Sequence, residues 1–89
     1  MDDVTNVIIR NCRIYDMCGF NSDSVDIGEK AANILIDSLV VHNIIDKGLF
    51  VGQQSSASVN SLFVNCNLGI ALKDYSYVTI DRSTFFGNN

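Results

Sequence analysis

Residues 34–41 read Ile-Leu-Ile-Asp-Ser-Leu-Val-Val, and their spacing decides the fold. Ile34, Ile36, Leu39 and Val41 follow a template of apolar, any, apolar, any, any, small or apolar, any, apolar. The same template fits Val7, Ile9, Cys12 and Ile14 upstream. Downstream it fits Ala57, Val59, Leu62 and Val64, and then Val78, Ile80, Ser83 and Phe85. Successive copies start 27, 23 and 21 residues apart. Alternation with a period of two belongs to strands. The three-residue step inside the template suits a bend between two strands. No window sustains the i, i+3, i+4, i+7 stripe of a helix.

A shorter pattern lies between the copies: Val25 and Ile27, Leu49 and Val51, Ile70 and Leu72. Gly48 and Gly69 immediately precede their strands, and Gly19 precedes the first at a distance, with Phe20 to Ser24 reading as a loop insertion. Each unit is thus a long extended segment, a turn, a short extended segment and another turn. Gly, Asn, Asp and Ser supply the turns, where left-handed backbone is tolerated. A unit of this size cannot bury its own apolar face, but it can do so against a copy of itself. Each strand would then pair in parallel with its equivalent one coil away, at about 4.8 Å. Two inward columns follow: Ile9, Ile36, Val59, Ile80, and Ile14, Val41, Val64, Phe85. The fold class is all-β, a right-handed parallel β-helix of three to four coils, with residues 1–89 forming one segment. A β-sandwich would need hairpin turns of the Asn-Gly or Asp-Gly kind, which the strand spacing does not offer.

Composition agrees with an ordered chain: 47% apolar, 18% charged, and no proline to interrupt paired strands. The formal net charge of −4, with only six scattered basic residues, argues against a nucleic-acid partner. No apolar run approaches a membrane span, so no membrane partner is expected. Met1-Asp2-Asp3 is acidic where a signal peptide would be basic. Cys12, Cys18 and Cys66 have no zinc spacing and are expected as small buried apolar residues.

The run Asp46-Lys47-Gly48-Leu49-Phe50-Val51-Gly52, with Asn65-Cys66-Asn67-Leu68-Gly69-Ile70-Ala71-Leu72-Lys73-Asp74 and the earlier Asp23-Ser24-Val25-Asp26-Ile27-Gly28-Glu29, resembles the bacterial parallel β-helix proteins of the pectate-lyase-like superfamily. The resemblance covers nearly the whole chain. It implies a secreted or cell-surface protein that meets polysaccharide, but the superfamily spans lyases, hydrolases, epimerases, adhesins and phage spikes, and fold does not fix function. Three roles follow: a structural and binding segment, part of a calcium-dependent polysaccharide lyase, or a purely structural adhesin or spike repeat. The paired aspartates, Gly-His-Gly and Arg-Ile-Lys of the superfamily's galacturonan hydrolases are missing, as is the calcium cluster and arginine of its pectate lyases.

Parity places the side chains that carry chemistry. With Val25 and Ile27 inward, Asp26, Phe50 and Ala71 form one outward row, Gly28, Gly52 and Lys73 the next, and Glu29, Gln53 and Asp74 follow at the turn. Asp26, Glu29 and Asp74 are therefore the binding candidates. Lys47 and Lys73 are the catalytic candidates for proton abstraction, which the resemblance implies for a lyase. Asp23, Asp26 and Glu29 are the candidate ligands for calcium, which favours hard oxygen donors; no cofactor is required by the pattern. A lysine acting as a base needs a lowered pKa, whereas the acidic neighbours of Lys47 and Lys73 would raise it. His42, the single histidine, has no acid–base partner in sequence and is placed outward or at a turn. Phe20, Phe50, Tyr75, Tyr77 and Phe86 are aromatics expected to be partly exposed, as sugar-binding faces use. A solenoid also leaves unpaired strands at its ends. Neither a capping helix nor a polar terminal coil is visible, so the expected partners include further coils or self-association at exposed apolar ends, besides polysaccharide.

Overall fold

The computed structural model describes residues 1–18 and 23–88; the Gly19 turn and Phe20, with most of the inserted loop, lie outside the described residues. Among the described residues, thirteen non-glycine ones adopt left-handed backbone, and most fall into columns that recur from coil to coil. One column is Asp16, Asn43, Asn65 and Gly87; another is Asp3, Lys30, Gln54 and Tyr75. A single left-handed residue turns an extended chain sharply, so each column is a corner. Asn and Asp tolerate this conformation better than other side-chain-bearing residues. Among the described glycines only Gly87 uses it, so the turns rest on Asn, Asp and polar residues more than on glycine.

Between the corners the chain is extended. β1 spans Thr5–Arg10, β2 Arg13–Met17, β3 Val25–Glu29, β4 Ala32–Gln53, β5 Ser56–Leu72, β6 Tyr77–Ile80 and β7 Thr84–Phe86. Every pairing is parallel. β4 pairs in turn with β1, β2 and β3, so it winds through all three faces, and β5 follows it for the whole turn. β6 and β7 add a further first and second face below β5. On the third face, above β3, lie Met1–Asp3: Gly28 N donates to Met1 O (2.7 Å) and Asp3 N to Glu29 O (2.8 Å). The result is a parallel β-solenoid of about three turns, with no helix among the described residues.

The inward columns build the core. Ile9 lies over Ile36, Ile36 over Val59, and Val59 over Ile80, as the repeat requires. On the third face Val25, Leu49 and Ile70 line up, as do Ile27, Val51 and Leu72. The second-face column needs a correction: Ile14 lies over Val41, Val41 over Phe63, and Phe63 over Phe85, so Phe63 and not Val64 points inward. Leu62 likewise faces outward, and Ser61 takes the place opposite Leu39. The cause is a shift in register at the corner between first and second faces: Asp37 pairs with Asn60 but Val40 with Leu62, one residue short. Asn11, Ser38 and Arg82 turn this corner with left-handed backbone in the other coils, and the coil of Ser61 has no such residue. Removing one residue reverses every side chain that follows.

Phe63 is fully buried and stacks on Phe85, centroids 5.1 Å apart and 7° between planes. This explains the glycines ahead of the third face. A Cβ on Gly48 would stand 2.7 Å from both Gly69 O and Phe63 Cδ1, and one on Gly69 would stand 2.8 Å from Phe85 Cδ2. Side-chain hydroxyls complete the corners. Buried Ser61 accepts from Leu39 N (3.2 Å) and donates to Ile36 O (3.3 Å), while Ser83 accepts from Ser61 N (2.9 Å). Buried Ser55 accepts from Ala31 N (3.1 Å). These bonds satisfy backbone groups that the bends remove from the ladder.

Candidate functional site

The third face carries a graded outward surface, because its strand bonds set the rows directly. Asp26 aligns with Phe50, and Phe50 with Ala71; Glu29 aligns with Gln53. At the end of these strands the left-handed residues Lys30, Gln54, Asp74 and Tyr75 turn the chain towards the first face. The turns leave an open groove of about 470 Å³ lined by Glu29, Lys30, Gln53, Gln54, Asp74 and Tyr75. Gln53 Nε2 donates to Asp74 Oδ2 (3.4 Å), which ties two coils together across the groove floor. Tyr75 is 89% exposed. The structure therefore brings Glu29 and Asp74 into one groove, whereas Asp26 stands further back in its strand beside Phe50. Lys73 is exposed and outside the lining.

Lys47 has a different setting. Its ammonium lies 3.2 Å from Asp46 Oδ1 and 3.7 Å from Asp23 Oδ1, and 5.8 Å from the Phe50 ring centroid. The Lys47 backbone N–H also donates to Asp23 Oδ1 (3.3 Å). The hydrogen bond to Asp46, helped by both carboxylate charges, holds the Lys47 pKa above its usual value. This favours the ammonium, the opposite of what a base requires. Asp23 is also pushed above the ordinary carboxylate range, because the cost of burying its charge outweighs the attraction of Lys47. Asp23 accordingly makes the fold more stable when protonated, and that contribution fades as pH rises from the unfolded value through the folded one. Lys47 works at the other end of the scale: its contribution is present below the ordinary lysine pKa and is lost as pH climbs through the raised value. We expect the Asp23 carboxyl, followed by carbon chemical shift, to titrate above 3.8, and to move higher still in Lys47→Met. A downward move would show that the lysine charge does not reach it.

Among the described residues no group of three or more His, Cys, Asp or Glu side chains gathers as a metal site; Asp23 is engaged with Lys47, while Asp26 and Glu29 occupy separate rows. His42 is outward and stacked on Tyr15, centroids 5.1 Å apart, with Nε2 shielded and without a hydrogen-bond partner. Cys66 is buried, and burial pushes its thiol pKa up, but Cys12 and Cys18 are exposed, which corrects the expectation of three buried thiols. Cys12 lies in the column of buried Leu39, in the first of the described coils.

Two features were not singled out from sequence. One is an amide ladder on the corner after the second face: Asn43 Nδ2 donates to Asp16 Oδ1 (2.9 Å), and Asn65 Nδ2 to Asn43 Oδ1 (3.4 Å). Its signal was a polar residue recurring at the repeat spacing. The other is a smaller open groove of about 190 Å³ on the first face, lined in part by Asn33, Ser56, Ser58, Tyr77 and Thr79.

The fold and these sites define a parallel β-solenoid with polar, aromatic-edged grooves on its outer surface. Comparison of the chain with protein-family models, with curated proteins and with solved structures gives no match.

Proposed function

We propose that this chain is a polysaccharide-binding segment of a pectate-lyase-like solenoid, working at the cell surface or in secretion, with the groove between Glu29 and Tyr75 as its contact. The observation that carries the reading is the meeting of Glu29, Gln53 and Asp74 in one groove with an almost fully exposed tyrosine. Carboxylates and amides accept and donate to sugar hydroxyls, and an exposed ring covers the apolar face of a pyranose. The two carboxylates favour a hydroxyl-rich neutral chain over a uronate. Binding is preferred to elimination chemistry because Lys47 is fixed as a cation between Asp23 and Asp46. Calcium would need ligands beyond Asp23, Asp26 and Glu29 in their present places.

Amide chemical shifts of the chain should move at Gln53, Gln54, Asp74 and Tyr75 when neutral oligosaccharides are titrated in, and less with oligogalacturonate. Tyr75→Ala should weaken binding roughly two- to thirteenfold, as a lost ring contact of about 0.5–1.5 kcal/mol implies. A broad glycan array with no hit would remove the proposal in favour of a purely structural repeat.

A further inference from the structure

The two outer grooves meet at one corner. Gln54 and Tyr75 line the larger groove, of about 470 Å³, while Ser56 and Tyr77 line the smaller one on the first face, of about 190 Å³. Between them each coil places a single small residue, Ser55 in one and Ser76 in the next. Ser55 is buried and its hydroxyl accepts from Ala31 N (3.1 Å), and the Ser76 hydroxyl accepts from Lys73 N (3.1 Å). Neither side chain is large enough to wall one groove off from the other. Backbone bonds fix the corner across adjacent coils: Gln54 N donates to Asp74 O (2.9 Å), Tyr77 N to Ser55 O (2.9 Å) and Ser56 N to Ala31 O (2.8 Å).

We infer that the two grooves form one binding track, and that its ligand is an extended run of a neutral, linear glycan laid around the solenoid at right angles to its axis. The inference rests on the glycan reading of the Glu29–Tyr75 groove. Three observations carry the extension onto the first face. The pairing Ser56 with Tyr77 and Ser58 with Thr79 continues, coil against coil, the sequence of side chains that begins with Gln53 and Asp74. From Gln53 to Ser58 the track reaches up to about 16 Å at about 3.3 Å per residue, longer than one sugar ring. The hydroxyls differ in employment. Those of Ser55, Ser61, Ser76 and Ser83 are bonded to backbone groups, whereas among the described residues no hydrogen bond engages those of Ser56, Ser58, Tyr77 or Thr79. They are left to donate to and accept from a ligand's own hydroxyls. Finally, the lower coil presents an exposed ring to each groove, Tyr75 at 89% and Tyr77 at 78%, and each can cover the apolar face of a sugar. Charge fixes the class of ligand. The larger groove holds Glu29, Lys30 and Asp74, but no charged residue lines the first-face part, so it has no cation to pair with a uronate. The bonds across the corner are formed before any ligand arrives, which keeps the ordering cost of binding low.

Neutral β-1,4-linked oligosaccharides of glucose, xylose and mannose, from disaccharide to hexasaccharide, test this on the unmodified chain. Affinity for at least one series should rise with length until the track is filled. Amide shifts should start at Gln53, Gln54, Asp74 and Tyr75 with the disaccharide and spread to Ser56, Ser58 and Thr79 with the longer members. Tyr77→Ala should weaken hexasaccharide binding roughly two- to thirteenfold, the worth of one ring contact, and leave disaccharide binding unchanged. Tyr75→Ala should weaken both. Circular dichroism checks that the Tyr77 variant keeps its β signal, and the shifts of the unmodified chain decide the matter without it. Equal affinity at every length, with shifts confined to the corner, would overturn the track and leave the Glu29–Tyr75 groove as a glycan site. Shifts running along the axis instead, over Asp26 and Phe50 or over Ile8 and Leu35, would overturn its direction. Binding by none of the three series would remove the track and the glycan site together.

Discussion

Phe63→Ala is expected to lower the unfolding free energy by about 3–5 kcal/mol, the range for emptying a buried aromatic site, while Val64→Ala should cost no more than about 1 kcal/mol, as for a partly exposed position. A chain of this length has only about 4–13 kcal/mol to lose. The first variant should therefore move the urea midpoint far down or prevent folding, and the second should barely shift it. The contrast is large because the two residues are neighbours of opposite orientation. Phe63 is fully buried between Val41 above and Phe85 below, with Gly48 leaving room for its ring. Val64 lies outward in the row of His42 and Phe86. If Val64→Ala proved the more damaging, the corner before it would hold an additional residue and the whole second face of that coil would be turned over. Gly48→Ala offers a check in the same region. Its methyl would meet the Phe63 ring, which has some freedom, and the Gly69 carbonyl, which does not, so shortening Phe63 would relieve only part of the strain.

The error at Val64 shows what an apolar pattern does and does not encode. Periodicity identified the coil, the third face and the Ile9–Ile36–Val59–Ile80 column, because burial repeats at each winding and β-branched residues mark it. It could not tell a corner with a left-handed residue from one without, since Leu62 and Val64 are as apolar as Ser61 and Phe63 are mixed. The information that decided the register was polar. Ser61 satisfies Leu39 N and Ile36 O, and is itself satisfied by Ser83, so the shorter corner places a hydroxyl where two backbone groups need one. Serine in an inward slot reads as weakness in a hydrophobic template and as a requirement once the bend is known.

The candidate site was legible to a different degree. Rows on the third face follow from parity alone, and Asp26, Glu29, Gln53 and Asp74 fell where parity put them. The groove itself depends on Lys30, Gln54 and Tyr75 turning left-handed, a property of individual corners that alternation does not carry. The pairing of Lys47 with Asp23 depends equally on the path of the chain into β3, at the end of an insertion with no counterpart in the later coils. Sequence thus gives chemistry on strands more readily than chemistry on corners, and in a solenoid the corners hold most of the polar surface.

Ile36→Ala should cost about 2–5 kcal/mol, whereas Ile80→Ala in dilute solution should cost under about 1 kcal/mol, although both occupy the same column. Ile36 is fully buried with Ile9 above and Val59 below, while Ile80 is 50% exposed and has Val59 on one side only. In a one-dimensional stack each coil is stabilised by its neighbours, so the cost of a deletion depends on how many neighbours it faces. Urea unfolding of the two variants at low concentration measures the gradient, and equal losses would mean that the lower coil is covered within a single copy.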